Sequence, residues 1–281
     1  MREEILTDCP RDAIQGIQGL ISAEKKAAHL NRLLKSGLFD RIDFGSFVSA
    51  RAVPQMADTE AVLEMLEETG GTRLLAIVLN ERGVEKGLGY EKIAVFGYPF
   101  SISEEFQRRN ANSSIEESFA RLQKIHEKIA NAGRETEVYI SMGFGNPYGD
   151  PWSEQLVTDW IGKISELGVR EFSLADTTGE ANERGIRSLF RACHQAFPGL
   201  NIGAHFHSER ATALEKVNAA YTAGCRKFDG ALLGYGGCPF AQSELVGNLA
   251  SEDLLAYFGR GRQEQVAELQ KSFLGLIGSA S

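Results

Sequence analysis

Basic charge is scarce in this chain. Its 281 residues carry 30 lysines and arginines against 38 aspartates and glutamates, a formal net charge of −8. That balance argues against nucleic acid as the main partner, because phosphate-backbone binding needs a basic face. It leaves room for a phosphorylated small molecule, which a few local Arg and Lys side chains can hold. Cysteine is scarce too. Cys9, Cys193, Cys225 and Cys238 lie far apart, with no C-x-x-C pair for zinc and no dense disulfide framework. The economical reading is a reduced, cytoplasmic setting in which any special cysteine is chemical rather than structural. No apolar run approaches a membrane span and the first eight residues contain no apolar leader segment, so no membrane partner is expected. Low-complexity segments, charge blocks and Pro/Ser-rich linkers are missing as well. Residues 1–281 are therefore expected to form one domain, with the 43% hydrophobic and 24% charged content of an ordinary soluble enzyme.

What the chain does have is a rhythm. Short apolar runs recur at 5–9, 41–47, 74–79, 92–96, 137–141, 171–174, 201–206 and 227–233. Stretches with helical spacing lie between them, as at 22–36, 114–132, 153–167 and 181–197, where apolar residues repeat at three- and four-residue steps. Ser114 with Glu117, and Ser153, have the pattern of N-caps. Gly37, Gly133, Gly168 and Gly224 close several helical stretches just before the next strand, where a left-handed residue is needed. Eight strand-then-helix units with strands apolar on both faces predict a (β/α)8 TIM barrel, followed by additional C-terminal helices at 251–258 and 263–277. The third unit is the weakest, with room for only a short helix within 83–90. The alternative, a doubly wound open sheet, lacks a G-x-G-x-x-G after its first strand.

In such barrels chemistry sits at the C-terminal ends of the strands. The polar residues expected there are Arg11 and Asp12 after strand one, Asp43 and Ser46 in strand two, and Asn80 after strand three. Asp176 and Thr177 follow strand six, and His205 and His207 end strand seven. Alternate strand residues point to one face about 6.5 Å apart, so the two imidazoles can reach a common ion. Two hydrogen-bonded neutral histidines would be the plainer reading; an acidic residue at the end of strand one favours a metal. Asp12 would supply the anionic ligand, or else an ion pair with Arg11 or an N-cap. Asn248 would add a neutral oxygen, or else cap a turn after Gly247. This mixed N/O set suits Mg²⁺ or Mn²⁺ rather than structural zinc. Cys238 follows Gly234-Tyr-Gly-Gly237, a stretch suited to a closing loop that delivers a thiol, although a buried inert cysteine is the usual alternative. Asp43 and Asp176 are acidic groups at inner strand ends, with salt-bridging to Arg11 as the competing role for either.

Several of these pieces together resemble the 3-hydroxy-3-methylglutaryl-CoA lyase family. They are Pro10-Arg11-Asp12 with Gln15, Ser46-Phe-Val-Ser49 with Val53-Pro-Gln-Met56, and Asn110-Ala-Asn112 with Ser114-Ile-Glu-Glu-Ser118. Ser173-Leu-Ala-Asp176-Thr-Thr-Gly179, Ala204-His-Phe-His207, and Gly236-Gly-Cys238-Pro-Phe-Ala241 continuing to Gly247-Asn248-Leu-Ala-Ser-Glu-Asp253 complete the series. The matches keep the family's order and cover nearly the whole chain. The resemblance implies cleavage of 3-hydroxy-3-methylglutaryl-CoA to acetyl-CoA and acetoacetate. Asp12, His205, His207 and Asn248 would be metal ligands, Arg11 a charge stabiliser, and Cys238 a proton donor. Asp12, His205 or a relay through Asp176 would serve as the base. Arg51, Asn80 and Arg108–Asn110 are candidates for coenzyme A contacts, with solvated helix charge the competing role of Arg108 and Arg109. The acyl-CoA is the expected partner, and a homodimer is a further expectation.

Departures from the family pattern cluster around the ligands. Asp43 stands where Glu is usual, Ser208 for an Asp, Ala50-Arg51 for Pro-Lys, Asn146 for a Cys, and Ala13-Ile14 for a Gly and hydrophobic pair. Substrate identity is therefore less constrained than the metal chemistry. Two other functions compete. An aldolase or Claisen-type synthase acting on a 2-oxo acid would use the same barrel but not the Cys238 loop. A catalytically silent binding barrel would have lost a ligand or Arg11. The pathway served, leucine breakdown or another, is left open.

Overall fold

The structure, a computed structural model, describes residues 3–236 and 246–280. Its strands are β1 (Ile5–Asp8), β2 (Arg41–Ser46), β3 (Arg73–Ile77), β4 (Ile93–Ser101), β5 (Glu135–Ser141), β6 (Glu171–Asp176), β7 (Asn201–Phe206) and β8 (Lys227–Gly230). All pair in parallel with their sequence neighbours, and β1 pairs with β8 from Ile5↔Lys227 to Asp8↔Gly230. The sheet closes, and the fold is a TIM barrel. Closure needs strands that are buried on both faces. β2 is buried at all six positions, and in β3 Leu74, Leu75 and Ala76 are wholly inaccessible.

The helices form the outer layer. In order they are α1 (Pro10–Ile14), α2 (Ala23–Ser36), α3 (Thr59–Glu64), α4 (Glu81–Leu88), α5 (Glu104–Ala111), α6 (Ile115–Asn131), α7 (Glu154–Glu166), α8 (Glu183–Ala196) and α9 (Arg210–Thr222). Two more follow the barrel, α10 (Ser251–Tyr257) and α11 (Gln263–Ile277). α2 buries Leu30, Leu33 and Leu34 and ends at Gly37 with φ +61°. The capping box of α6 is complete, with the Glu117 N–H donating to Ser114 Oγ at 3.1 Å and the Ser114 N–H donating to Glu117 at 2.8 Å.

Three boundaries differ from the sequence reading. β1 stops at Asp8, and Pro10 opens the short α1, so Arg11 and Asp12 ride on a helix rather than a strand. Proline at the first turn costs no hydrogen bond and favours that helix start. β4 runs on to Ser101 through Gly97 and Pro99, two residues that read as breakers. At Gly97 a Cβ would come within 2.6 Å of Ile77 and 3.1 Å of Tyr139, so the missing side chain makes room for the barrel's interior packing. β8 ends at Gly230 rather than at 233 because the returning segment 247–250 crosses its end. Ala231 N–H donates to the Leu249 carbonyl at 2.8 Å, and a Cβ on Gly230 would lie 2.9 Å from that same oxygen.

The N-terminal end of the barrel, opposite the strand ends discussed next, is filled by ions. Lys227 Nζ lies 2.8 Å from Glu137 Oε1 and 3.2 Å from Glu171 Oε2. Arg41 reaches Glu137 at 2.6 Å and Glu171 at 2.8 Å, and Ser173 Oγ donates to Glu137 at 2.8 Å. Gly203 makes the space, since a Cβ there would collide with the Lys227 chain. Burial opposes the charge on Glu137, but Lys227 and Arg41 outweigh it and hold the carboxyl down at about 2. Its stabilising contribution is therefore complete above the ordinary value of 4.5 and is lost as pH falls through about 2. Lys227→Met strands a buried carboxylate and is expected to cost about 3–5 kcal/mol in denaturant unfolding at neutral pH. A loss under about 1 kcal/mol would show that the cluster is not holding the barrel.

Candidate active site

At the other end, α1 places two charged side chains over the barrel axis. Arg11 is clamped: its Nε donates to Asp43 Oδ1 and Oδ2 at 3.2 and 3.1 Å, and Nη2 donates to Oδ2 at 2.5 Å. Nη1 donates to Asp12 Oδ1 at 3.1 Å and to Gln15 Oε1 at 3.0 Å, while Gln15 Nε2 donates to Asp12 at 2.8 Å. Asp43 thus does reach Arg11, despite being one methylene shorter than the Glu of the resembling family. Burial works against the guanidinium charge, but Asp43 and Asp12 more than offset it, so Arg11 stays a fixed cation.

β7 presents the imidazoles. Phe206 turns outward onto Phe144 and Phe190, at 5.5 and 6.2 Å between ring centroids. His205 and His207 on either side stand nearly perpendicular, 5.3 Å apart. Nitrogens of both and an Asp12 oxygen lie within 4.8 Å of one another. Asn248 is brought in by the segment crossing β8, through a bridge to His207. Its amide donates to Asp12 Oδ2 and to the Tyr235 carbonyl, both at 2.9 Å. Both amide hydrogens are thereby engaged, and the amide oxygen is what Asn248 can offer an ion. Gly236, at φ +102°, allows this approach, since a Cβ there would sit 2.8 Å from the Asn248 amide.

The electrostatics suit a cation. Burial opposes ionisation of Asp12, but Arg11 and the two histidines hold its carboxyl below the usual range. Burial, then the neighbouring His205, push His207 down to about 4, so its imidazole is neutral at physiological pH. His205 resists the same burial because Asp229 accepts from its Nδ1 at 3.2 Å, and its value rises above the ordinary one. His207 Nδ1 is buried without a hydrogen-bond partner among the described residues, which is costly unless something else coordinates it. One carboxylate, two imidazoles and an amide oxygen fit a divalent cation of the Mg²⁺ or Mn²⁺ type.

Beside these groups lies a cavity of about 150 Å³. Arg11, Asp12, Gln15, Tyr139, Ser141, Thr177, His205 and His207 form its polar side, and Val48, Val53, Ile77, Leu79 and Phe106 its apolar side. Sequence reasoning missed Tyr139 and Asp229. Tyr139 alternates with the buried Val138 and Ile140, and its hydroxyl is buried without a partner among the described residues. Asp229 lies two residues after the buried Lys227 in β8, and that alternation was the available signal.

Other expected residues fall elsewhere. Asp176 does not line the cavity. Lys216 of α9 donates to it at 2.7 Å and the Ala181 N–H at 3.2 Å, so it braces the loop after β6. Asn80 caps α4 by accepting from the Gly83 N–H at 2.9 Å and lines a neighbouring depression with Arg82 and Lys86. Arg51 is an exposed loop residue. Arg108 and Arg109 pair along α5 with Glu104 and Glu105. Asn146 ties its own loop, accepting from the Tyr148 and Asp150 N–H groups at 3.1 and 3.0 Å. Ser208 Oγ donates to the Glu209 carbonyl at 3.0 Å. Cys238 lies outside the described residues. Because Asp229 orients His205, Asp229→Asn is expected to weaken Mn²⁺ affinity by about 10–100-fold in equilibrium titration. An unchanged affinity would mean that His205 needs no such support.

The HMGL-like family model matches residues 4–271. A hydroxymethylglutaryl-CoA lyase from Pseudomonas mevalonii is 35% identical over 248 residues, covering 88% of this chain and 81% of the relative. A 3-hydroxy-3-isohexenylglutaryl-CoA/hydroxymethylglutaryl-CoA lyase from Pseudomonas aeruginosa is 34% identical over 250 residues, covering 88% and 81%. The structure of an HMG-CoA lyase from Acinetobacter baumannii, in complex with coenzyme A and 3-methylmalate, superposes with a TM-score of 0.89 at 27% identity. That match covers 99% of this chain and 92% of the other.

Proposed function

This chain belongs to the HMGL-like family and is a lyase, and we propose that it cleaves 3-hydroxy-3-methylglutaryl-CoA to acetyl-CoA and acetoacetate. The observation that carries this reading is the convergence of Arg11, Asp12, His205 and His207 on one small cavity with an apolar wall. Asp12, His205, His207 and Asn248 would hold a divalent cation, Mg²⁺ or Mn²⁺, which would supply Lewis acidity for loss of the substrate's hydroxyl proton.

The residues of the chain divide the remaining work. The 3-hydroxyl must lose its proton as the C2–C3 bond breaks, and Asp12 is the base at the cavity wall, since His205 would be engaged at both nitrogens, by Asp229 and by the cation. Asp176 is engaged by Lys216 and drops out as a relay. The bond's electron pair moves onto the departing thioester as an enolate, and Arg11 is the fixed positive charge for that oxygen. Its clamp to Asp43 and Asp12 means the guanidinium need not reorganise when the charge appears. The buried Tyr139 hydroxyl, pushed well above its ordinary value by burial and then by Glu137, stays protonated and is a donor for a substrate oxygen. The enolate carbon then takes a proton, a role we assign to Cys238, which follows a glycine-rich stretch of sequence. The apolar wall accommodates the 3-methyl branch. A longer branch, as in the name of the second Pseudomonas relative, is the specificity alternative. Among the described residues no helix is long and apolar enough to cross a membrane.

A coupled assay for acetoacetate tests the reading. Turnover is expected from 3-hydroxy-3-methylglutaryl-CoA, abolished by EDTA and restored by Mg²⁺ or Mn²⁺, with Arg11→Gln lowering kcat by about 10²–10³. Cation-loaded, folded protein that turns over only the isohexenyl analogue would move the substrate assignment. No turnover of either would remove it.

A further inference from the structure

A second trio of ligating groups shares His205. Cys9, at the turn from β1 into α1, and Asp229 of β8 join His205 with a thiol, a carboxylate oxygen and an imidazole nitrogen all within 4.8 Å of one another. Cys9 is 1% exposed and Asp229 2%, so neither faces solvent. Asp229 uses Oδ2 to accept from His205 Nδ1, and its Oδ1 is buried with no hydrogen-bond partner among the described residues. An unsatisfied carboxylate oxygen at that depth is costly and calls for a positive partner. Burial, then the negative charge of Asp229, Asp43, Asp12 and Asp8, pushes the thiol well above its ordinary value, so it stays protonated until a cation beside it offsets that charge. Cys225 differs, since its sulfur is already engaged by the Lys227 carbonyl at 3.1 Å.

We propose that Cys9, His205 and Asp229 form a second cation site, selective for thiophilic ions such as Zn²⁺ or Cd²⁺. A sulfur, nitrogen and oxygen set is a poor match for Mg²⁺ or Mn²⁺ and a good one for a tetrahedral soft ion with one open position. Binding breaks the S–H bond of Cys9, releases that proton to solvent and forms one sulfur–metal bond, while the His205 nitrogen that ligates passes any proton it carries to the other ring nitrogen, with no change of oxidation state. Because His205 belongs to both trios, a thiophilic ion here competes for a ligand of the hard-cation site without displacing anything from Asp12 directly.

Titration of EDTA-treated full-length protein with Cd²⁺, followed by thiolate-to-cadmium charge-transfer absorbance, tests the site without substrate. Its failure would leave the lyase reading intact, and failure of the acetoacetate assay would leave this site intact. Cys238→Ser protein is expected to develop the band with one equivalent of Cd²⁺. Adding Cys9→Ser should abolish the band, and adding Asp229→Asn instead should weaken Cd²⁺ binding about tenfold or more. Circular dichroism checks each fold, with Cys9→Ala as substitute if the serine variant does not fold. No band in the Cys238→Ser protein, or a band that survives loss of Cys9, overturns the proposal.

Discussion

Buried negative charge at the C-terminal end of the barrel is the constraint around which the site is arranged. Asp12 on α1, Asp43 on β2 and Asp229 on β8 are each less than 8% exposed, and barrel closure directs all three inward. Burial, and then the neighbouring Asp12 and Asp229, oppose ionisation of Asp43, with Arg11 acting the other way. Such a cluster persists only when each charge is compensated. Arg11 serves Asp43 and Asp12, and His205 serves one oxygen of Asp229. Asp8 solves the problem another way. Burial pushes it up to about 7, so it keeps a proton much of the time, and its Oδ1 accepts from the Ser251 hydroxyl. The balance left over is negative, and the divalent cation we propose beside Asp12 would complete it.

The same constraint explains the division of labour between the two barrel ends. At the N-terminal end, Glu137 and Glu171 are met by Arg41 and Lys227 in direct contacts of 2.6–3.2 Å. The carboxylates there have partners, and the cluster is structural. At the other end, Asp229 Oδ1, His207 Nδ1 and the Tyr139 hydroxyl are left without partners among the described residues. Leaving polar groups unsatisfied costs stability, and it is tolerated where a ligand or ion supplies the missing contact. The ends of the barrel thus differ in satisfaction rather than in the number of charges.

Much of this was legible in the residues. Alternating apolar runs and glycine-terminated helices marked eight strand–helix units, because burial on both faces leaves no polar alternation to obscure them. That Asp12, His205 and His207 meet at one mouth followed from strand order; Asn248 lies beyond the last strand, where capping a turn competed with ligation. What local pattern could not show was the partner of each polar group. Asp176 and Asp43 looked alike as acidic residues at strand ends, yet one is held by Lys216 outside the barrel and the other by Arg11 inside it. Asp229 and Cys9 lie 220 positions apart in sequence and meet only because β1 closes the sheet against β8. Asn80 showed the reverse failure, a polar residue near a strand end whose side chain is consumed by a helix cap. Whether a side chain caps, pairs or faces the cavity is set by tertiary contacts that spacing does not encode.

The central claim is that Asp12, His205, His207 and Asn248 hold one divalent cation at the barrel mouth. Counting Mn²⁺ bound to EDTA-treated protein, from the electron paramagnetic resonance signal of the free ion, tests it most directly. One Mn²⁺ per chain is predicted, with Asp12→Asn and His207→Ala each weakening binding by more than the roughly 10–100-fold expected of a merely supporting residue. His207→Ala protein that binds Mn²⁺ as tightly as the unaltered chain would contradict the account.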